Sequence, residues 1–491
     1  MANYKYRIEL YEAVRAKIPE IYAEAERAAK EIGITDKMKN TFGLTGAVSG
    51  CHGLNPTRVA NAMHEMTRKI VSSSELDVRV SHLVKEWLGD DWDGVMTSTC
   101  EAALQVCFDS VFTPPLTGRG DCYTSRYIAP YERHIHHQAG YGRPFPGRFK
   151  DAVADRGNCA GEMGLAGKRL CNLEVDIVPM AGAKYDNHGI KYYPAPLLTK
   201  VDAKATAEKI RNHAERTPNL CGFASLGYDT PGYGYGEKNK DGSSVLRSEI
   251  GKMARKFDVP YLIDNAFGSV FIGVDPRLCG CDLMVYSMDK AMGAGTSGLI
   301  IGREEYVTYC RRALGTHSER WGTLTAHGKA AYVGFDPGKE ALAGGIAAME
   351  FLRDEPKLWK DNVDQLEKIA REEFNQIDPK LRSLFDITKS YNSAAVEINY
   401  EKSWDEGIPG AGGMGIPIFT IEDMYAGTQV FQTGLLKMGI IPTITYDANI
   451  FISTGLGTTD PDGYLIEKPM RLGIRGMVRL IEITCRKVGL I

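Results

Sequence analysis

The sequence predicts an α/β protein, with a mostly parallel central sheet, flanking helices and a smaller α+β C-terminal domain. Three observations carry this. From about 120 to 330, short apolar runs alternate with amphipathic stretches at strand–helix–strand spacing. The runs Tyr261–Asp264 and Leu283–Ser287 are almost continuously apolar, as strands buried on both faces are. After about 335 the alternation gives way to one long helical stretch, then short strands mixed with helices.

In chain order, residues 5–32 read as an amphipathic helix within an N-terminal arm, 1–40. The segment 42–56 carries Gly43, Gly46, Gly50 and Gly53. It is either a flexible linker or backbone passing close to a ligand or a partner subunit. Asn55-Pro56 opens a helix to about Ser72, and a second runs from Val78 to Leu88. Gly94–Thr97 is a short strand, and Ser98 opens the next helix. The large domain, 41–335, continues with strands Cys122–Ser125, Glu174–Pro179, Cys221–Leu226, Tyr261–Asp264, Leu283–Ser287 and Gly298–Gly302. Helices are expected at 128–139, 202–216 and 243–257. Stretches 142–170 and 228–243 are Gly-rich and polar and read as long surface loops of the lid type. The small domain, 336–491, opens with a long or broken helix from Lys339 to Phe374. Strands at Ala394–Ile398, Ile440–Thr445 and Met470–Ile474 and helices at 421–438 and 475–485 follow.

The 491 residues can bury a large core, and 43% hydrophobic with 25% charged residues is ordinary for a globular chain. A net charge of -3 gives no pull toward nucleic acid or an anionic membrane, so neither is expected as a partner. The N-terminus lacks the apolar core of a secretory signal, and no apolar run reaches bilayer length. Eleven scattered cysteines without a C-x-x-C pair point to free thiols in a reducing cytoplasm. His134, His136 and His137 cluster without Cys or carboxylate partners at ligand spacing, so no metal is expected.

The chemistry is concentrated in two strand ends. Asp264 closes Pro260-Tyr-Leu-Ile-Asp264, and Lys290 lies 26 residues on, in Tyr286-Ser-Met-Asp-Lys-Ala-Met-Gly-Ala-Gly-Thr-Ser-Gly298. Alone, such a lysine reads as a solvated strand end and such an aspartate as a cap or turn residue. In this order, with a glycine-rich turn after the lysine, the pair suits pyridoxal phosphate bound as a Schiff base. Lys290 forms the imine, and Asp264 keeps the pyridinium nitrogen protonated. Upstream, Thr97-Ser98-Thr99-Cys100-Glu101-Ala102-Ala103 is a hydroxyl-rich turn into a helix. Ser98 with Glu101 fits a capping box, and the same turn fits a phosphate cup built from Ser98, Thr99, Cys100 and Glu101.

These residues in this order resemble the aspartate-aminotransferase-like, fold-type I pyridoxal-phosphate enzymes, and within them the selenocysteine synthase and D-glucosaminate-6-phosphate ammonia-lyase branch. The counterparts are Gly43-Leu44-Thr45-Gly46, Glu75-Leu76-Asp77, Glu101-Ala102-Ala103, Ser125-Arg126 and Ser287-Met288-Asp289-Lys290. The resemblance covers roughly residues 40–310 and leaves the C-terminal third unplaced. The stretch 142–170 and Met288 beside the lysine depart from the pattern. Asp289 rather than His before the lysine argues against a decarboxylase of the group II kind, and the charge argues against a tRNA substrate.

The resemblance implies a catalytic Lys290 and Asp264, with Ser287 and Thr296 beside the cofactor. It implies a stacking residue among Tyr123, Arg126, Tyr127 and His134, and Arg471 or Arg475 on the substrate carboxylate. It also implies a homodimer or larger even oligomer, with Thr296-Ser297 and the Gly43–Gly53 loop reaching across. The expected reaction is elimination or replacement at Cβ of a small polar amino acid. The alternatives are an aminotransferase, decarboxylase or aldolase, or a non-catalytic assembly protein that keeps the fold.

Overall fold

The computed structural model describes residues 2–48, 51–112, 125–132, 173–186, 195–314, 332–405, 408, 413, 415–418, 429–443, 445–446, 448 and 449–491. Tyr123, His134, His136, His137, Gly50 and the stretch 142–170 lie outside these. Two compact units emerge: Met1–Thr57 with Lys184–Thr199 and Lys357–Ile491, and Arg58–Ala183 with Lys200–Pro356. These differ from the consecutive spans 1–40, 41–335 and 336–491, because contacts distant in sequence decide the grouping. Leu44 N–H donates to the Ile441 carbonyl, and the Glu401 carboxylate accepts from the N–H groups of Leu198 and Thr199.

Among the described residues, the second unit holds seven strands: β1 (Trp92–Thr97), β2 (Ser125–Pro130), β3 (Leu173–Val178), β4 (Leu220–Leu226), β5 (Tyr261–Asp264), β6 (Leu283–Ser287) and β7 (Gly298–Arg303). Their order is β1-β7-β6-β5-β4-β2-β3. β7 runs antiparallel to β6 and β1, and the other neighbours are parallel. Leu262, Leu283, Val285 and Ile300 are buried in one core with Val95, Leu104 and Tyr127. Such continuous apolar strands need helices on both faces.

Local signals set the helix starts. Ser72 and Glu75 close a reciprocal capping box ahead of Ser73–Leu88, Asp202 caps Ala203–Ala214, and Ser244 caps Val245–Phe257. Arg311 clamps the Ser73–Leu88 helix to β1. Its Nε is 2.8 Å from Asp77 Oδ2, its Nη1 is 2.5 Å from Asp93 Oδ2, and Nη2 donates to the Gly94 carbonyl. Burial pushes the Asp93 carboxyl up, but Arg311, with Ser81 and the Gly94 N–H, outweighs it and the net direction is down. Asp77 of the Glu75-Leu76-Asp77 segment thus holds a helix in place.

The first unit pairs the Arg7–Glu31 and Glu467–Lys487 helices, and its antiparallel sheet comprises β8 (Asp386–Ser390), β9 (Ala395–Asn399), β10 (Thr445–Tyr446) and β11 (Asn449–Ser453). Leu10, Val14, Ile21, Ile398, Ile450, Ile474 and Leu480 share its core. Gly43, Gly46 and Gly53 of the glycine-rich segment pack within this unit rather than standing in a linker. Gly46 and Gly53 pass against Thr454 and Gly455, where a Cβ on Gly46 would stand 2.5 Å from the Thr454 carbonyl oxygen.

Several elements differ from expectation. Met470–Ile474 is helical, because the two-residue alternation in Met-Arg-Leu-Gly-Ile is part of a longer stripe. Met470, Ile474, Met477, Val478 and Ile481 repeat at helical spacing and are all buried. Of the strand expected at Cys122–Ser125, residues 122–124 lie outside the described residues; a strand runs Ser125–Pro130, so 128–130 belongs to β2 rather than starting a helix. Tyr127, Ile128 and Ala129 are buried there, with β3 and β4 pairing on either side. In place of a strand over Ile440–Thr445, Ile441 makes an isolated bridge with Gly43. Lys339–Phe374 is two helices, Lys339–Asp354 and Pro356–Phe374, parted at Pro356. Within 421–438, the described part is a π-turn, Gln429–Thr433, running into Gly434–Met438. Among the described residues, no helix is long and apolar enough to cross a membrane.

Candidate functional site

The parallel pairing of β4, β5 and β6 brings three strand ends together. Leu226 stands beside Asp264, and Asp264 beside Val285, two residues before the end of β6. The chain leaving β5 is locked at once. Gly227 N–H donates to the Asp264 carbonyl at 2.7 Å, Asn265 N–H to Val285 at 2.8 Å, and Ser287 N–H to Ala266 at 3.3 Å. Asn265 is fully buried, wedged between two glycines. A Cβ at Gly227 would lie 2.3 Å from its Oδ1, and one at Gly268 2.2 Å from its Nδ2. Those positions demand glycine because a side-chain amide occupies the space.

Lys290 sits in a turn closed by its own N–H to the Ser287 carbonyl and by Gly293 N–H to the Lys290 carbonyl. Met288 N–H donates to Ser297, and Ser287 Oγ to Asp289 Oδ1 at 2.5 Å. The Lys290 ammonium lies 4.3 Å from the centre of the Phe267 ring. Behind Phe267 stands Tyr228, centroids 5.1 Å apart, and behind that Tyr233, at 4.3 Å.

Asp264 is half-buried, and the surrounding protein desolvates its carboxyl. Desolvation raises its pKa to about 6, against the lowering effects of the Lys290 charge and the Ala266 N–H, 3.1 Å from Oδ1. The Cys100 thiol is pushed well up by enclosure and by Asp264, with Lys290 opposing. Asp264, Lys290 and the first turn of the Cys100–Cys107 helix therefore share one electrostatic environment. Thr99, not Ser98, caps that helix: its Oγ1 accepts from Ala102 N–H at 3.0 Å, while Ser98 N–H donates to Phe335. The first-turn N–H groups of Cys100 and Glu101 have no partner within the helix.

The other expected residues fall in different places. Tyr127 is fully buried against Phe108 and Phe112, so its ring belongs to the core and not to a ligand. Arg126 lies along the sheet, 3.5 Å from Asp176. Thr296 is exposed in the turn beyond Lys290. Arg471 and Arg475 lie on the Glu467–Lys487 helix, and their forks are taken by Glu467, Glu372 and the fully buried Glu373, so neither is left for a substrate carboxylate. The first half of the expected lid at 228–243 is built in, with Tyr228, Tyr233 and Tyr235 buried around the turn Pro231–Tyr233, while residues 237–242 are exposed.

Sequence reading missed Glu132 and the ring stack. Glu132 is fully buried, accepts from Leu226 N–H at 3.0 Å and from the Tyr235 hydroxyl, and so fixes the end of β4. A lone glutamate gives no sequence signal. The spacing of Tyr228, Tyr233 and Tyr235 among glycines was a signal of packed aromatics, misread as loop composition.

No protein-family model and no curated protein sequence matches the chain. Solved structures do. The chain is similar to the structure of a SepCysS–SepCysE N-terminal domain complex, with 14% identity, 91% of this chain and 95% of that one covered, and a TM-score of 0.52. Ureidoglycine-glyoxylate aminotransferase from Bacillus subtilis matches at 12% identity, 90% and 92% coverage and a TM-score of 0.50. D-Glucosaminate-6-phosphate ammonia-lyase matches at 14% identity over 90% and 95%, with a TM-score of 0.44. The fold is the expected aminotransferase-like fold-type I arrangement, a mostly parallel sheet with flanking helices.

Proposed function

We propose that this chain is a pyridoxal-phosphate-dependent enzyme that acts on a small polar amino acid by elimination or replacement at Cβ. The observation that carries the proposal is the convergence of Asp264, Lys290 and the Thr99–Glu101 helix start at the C-terminal ends of neighbouring strands, where open α/β sheets take ligands. The residues fit the cofactor. An amine, a carboxyl and orphan helix N–H groups match an aldehyde, a ring nitrogen and a phosphate. Desolvation raises the Asp264 carboxyl, and a cation placed beside it would favour its ionised form.

Lys290 would hold the cofactor covalently and, once displaced, move the proton at the substrate's Cα. Asp264 would hold the proton on the ring nitrogen. Ser98, Thr99 and the N–H groups of Cys100 and Glu101 would bind the phosphate, with Ser287 steadying the turn through Asp289. When bound, the cofactor supplies an electron sink for charge developing at Cα. A homodimer or larger even assembly is part of this reading, with exposed Thr296 offered to the second copy.

A second reading, transamination, has the likeness to the Bacillus subtilis aminotransferase in its favour. Product analysis with single amino acids separates the two. Ammonia and a 2-oxo acid released without a keto-acid acceptor support elimination. Strict dependence on an acceptor, with stoichiometric amino transfer, overturns it.

A further inference from the structure

We infer that Phe267 is the positioning residue for Lys290: its ring face is the resting place of the lysine ammonium whenever that nitrogen is not bonded to the cofactor. The inference rests on the reading of Lys290 as the cofactor-bearing lysine. Its basis is geometric. The ammonium stands 4.3 Å from the Phe267 centroid, within the range where a cation is drawn to the negative face of an aromatic ring. A lysine on its four-carbon stem samples many rotamers, so one fixed contact selects a position.

The ring is itself immobilised. Phe267 is 5% exposed, and its backbone follows the wedge made by Asn265. Gly268 N–H donates back to the Asn265 carbonyl at 2.7 Å, and the rings of Tyr228 and Tyr233 are stacked behind it. From there Lys290 still acts electrostatically on Asp264 and Cys100, with Glu101 and Asp289 the other charged neighbours of that group. Phe267 thus keeps the freed lysine at the site instead of letting it swing into solvent.

The sign of the consequence follows. Capture of pyridoxal phosphate takes Lys290 off the ring: the ammonium gives one proton to solvent, its nitrogen forms the C=N bond, and the aldehyde oxygen leaves as water. A ring that favours the free ammonium opposes this, so Phe267→Leu should bind pyridoxal phosphate about three- to tenfold more tightly, while Phe267→Tyr stays close to wild type. A Phe267 that served instead to contact the cofactor would give the opposite sign.

Two measurements test this. In the cofactor-free protein, with lysines reductively methylated using carbon-13 formaldehyde and Lys290 assigned through Lys290→Arg, the Lys290 methyl signal should be displaced by the ring. It should return to the bulk position in Phe267→Leu and stay displaced in Phe267→Tyr. Fluorescence titration with pyridoxal phosphate then gives the affinities. Where Phe267→Leu does not fold, Tyr228→Leu, which leaves Phe267 unbacked, should move both readouts in the same direction by less. A wild-type Lys290 signal at the bulk position, or an affinity that is unchanged or weaker in the leucine variants, overturns the inference. Borohydride reduction that fixes the pyridoxyl group on another lysine overturns the cofactor reading instead, and leaves the methyl result standing.

Discussion

Arg475 grips Glu373 at two points, Nε 2.8 Å from Oε2 and Nη2 2.9 Å from Oε1, while Arg471 reaches the same carboxylate at 2.9 Å. The Glu373 side chain is fully buried, and the two arginines are one helical turn apart on the Glu467–Lys487 helix. This triad ties that helix to Pro356–Phe374. Glu373→Gln should therefore cost on the order of 2–3 kcal/mol in urea unfolding, since it sets Arg475 against a buried amide and leaves Arg471 only Glu467 and Glu372. Arg475→Ala should lower stability without changing the KM for an amino-acid substrate. A large rise in KM with stability intact would return Arg475 to the substrate.

Asp264 makes the cofactor-free protein sensitive to pH. Its folded pKa is raised to about 6 from 3.8, so the folded state holds this proton more tightly than the unfolded chain does. The associated stability is fully present below about pH 4 and is lost as pH rises through about 6. Asp264→Asn should leave the melting temperature unchanged at pH 4 and raise it at pH 7.5, by the equivalent of about 3 kcal/mol. Equal melting shifts at both pH values would count against an enclosed carboxyl.

Lys290→Ala should remove the pyridoxyl group otherwise fixed by borohydride, with circular dichroism unchanged because the side chain is only half-buried. Because the Lys290 charge favours ionised Asp264, the same variant should move the Asp264 midpoint above about 6. Infrared titration of the carboxyl, with Asp264→Asn as the subtraction control, reads this directly. An unmoved midpoint would mean that the two groups are not coupled.

Gly227→Ala should cost about 1–3 kcal/mol, the usual range for overpacking, because the new methyl meets the Asn265 side chain at 2.3 Å. In an Asn265→Gly background, which also removes the Cβ that would stand 2.5 Å from the new methyl, the same substitution should be nearly silent. Thermal unfolding of the four proteins gives the coupling energy, and additive losses would show that Gly227 is needed for its backbone alone.

The sequence by itself determined the sheet's central strands and the carboxyl and amine carried at or just beyond their ends. Tyr261–Asp264 and Leu283–Ser287 were legible because strands buried on both faces must be apolar throughout, and a carboxyl or an amine at such an end stands out against that background. Only the tertiary structure decided the rest. Met470–Ile474 alternates like a strand over five residues and is a helix over twenty-one, since the burial that settles the period comes from the packed core. Arg471 and Arg475 lost their expected ligand to Glu373, about a hundred residues earlier in the chain. Tyr127 went to the core, and the tyrosine-rich stretch expected to move became a fixed wall behind Phe267. In each case residue type gave the chemistry available, while partners distant in sequence decided whether that chemistry was already spent on the fold.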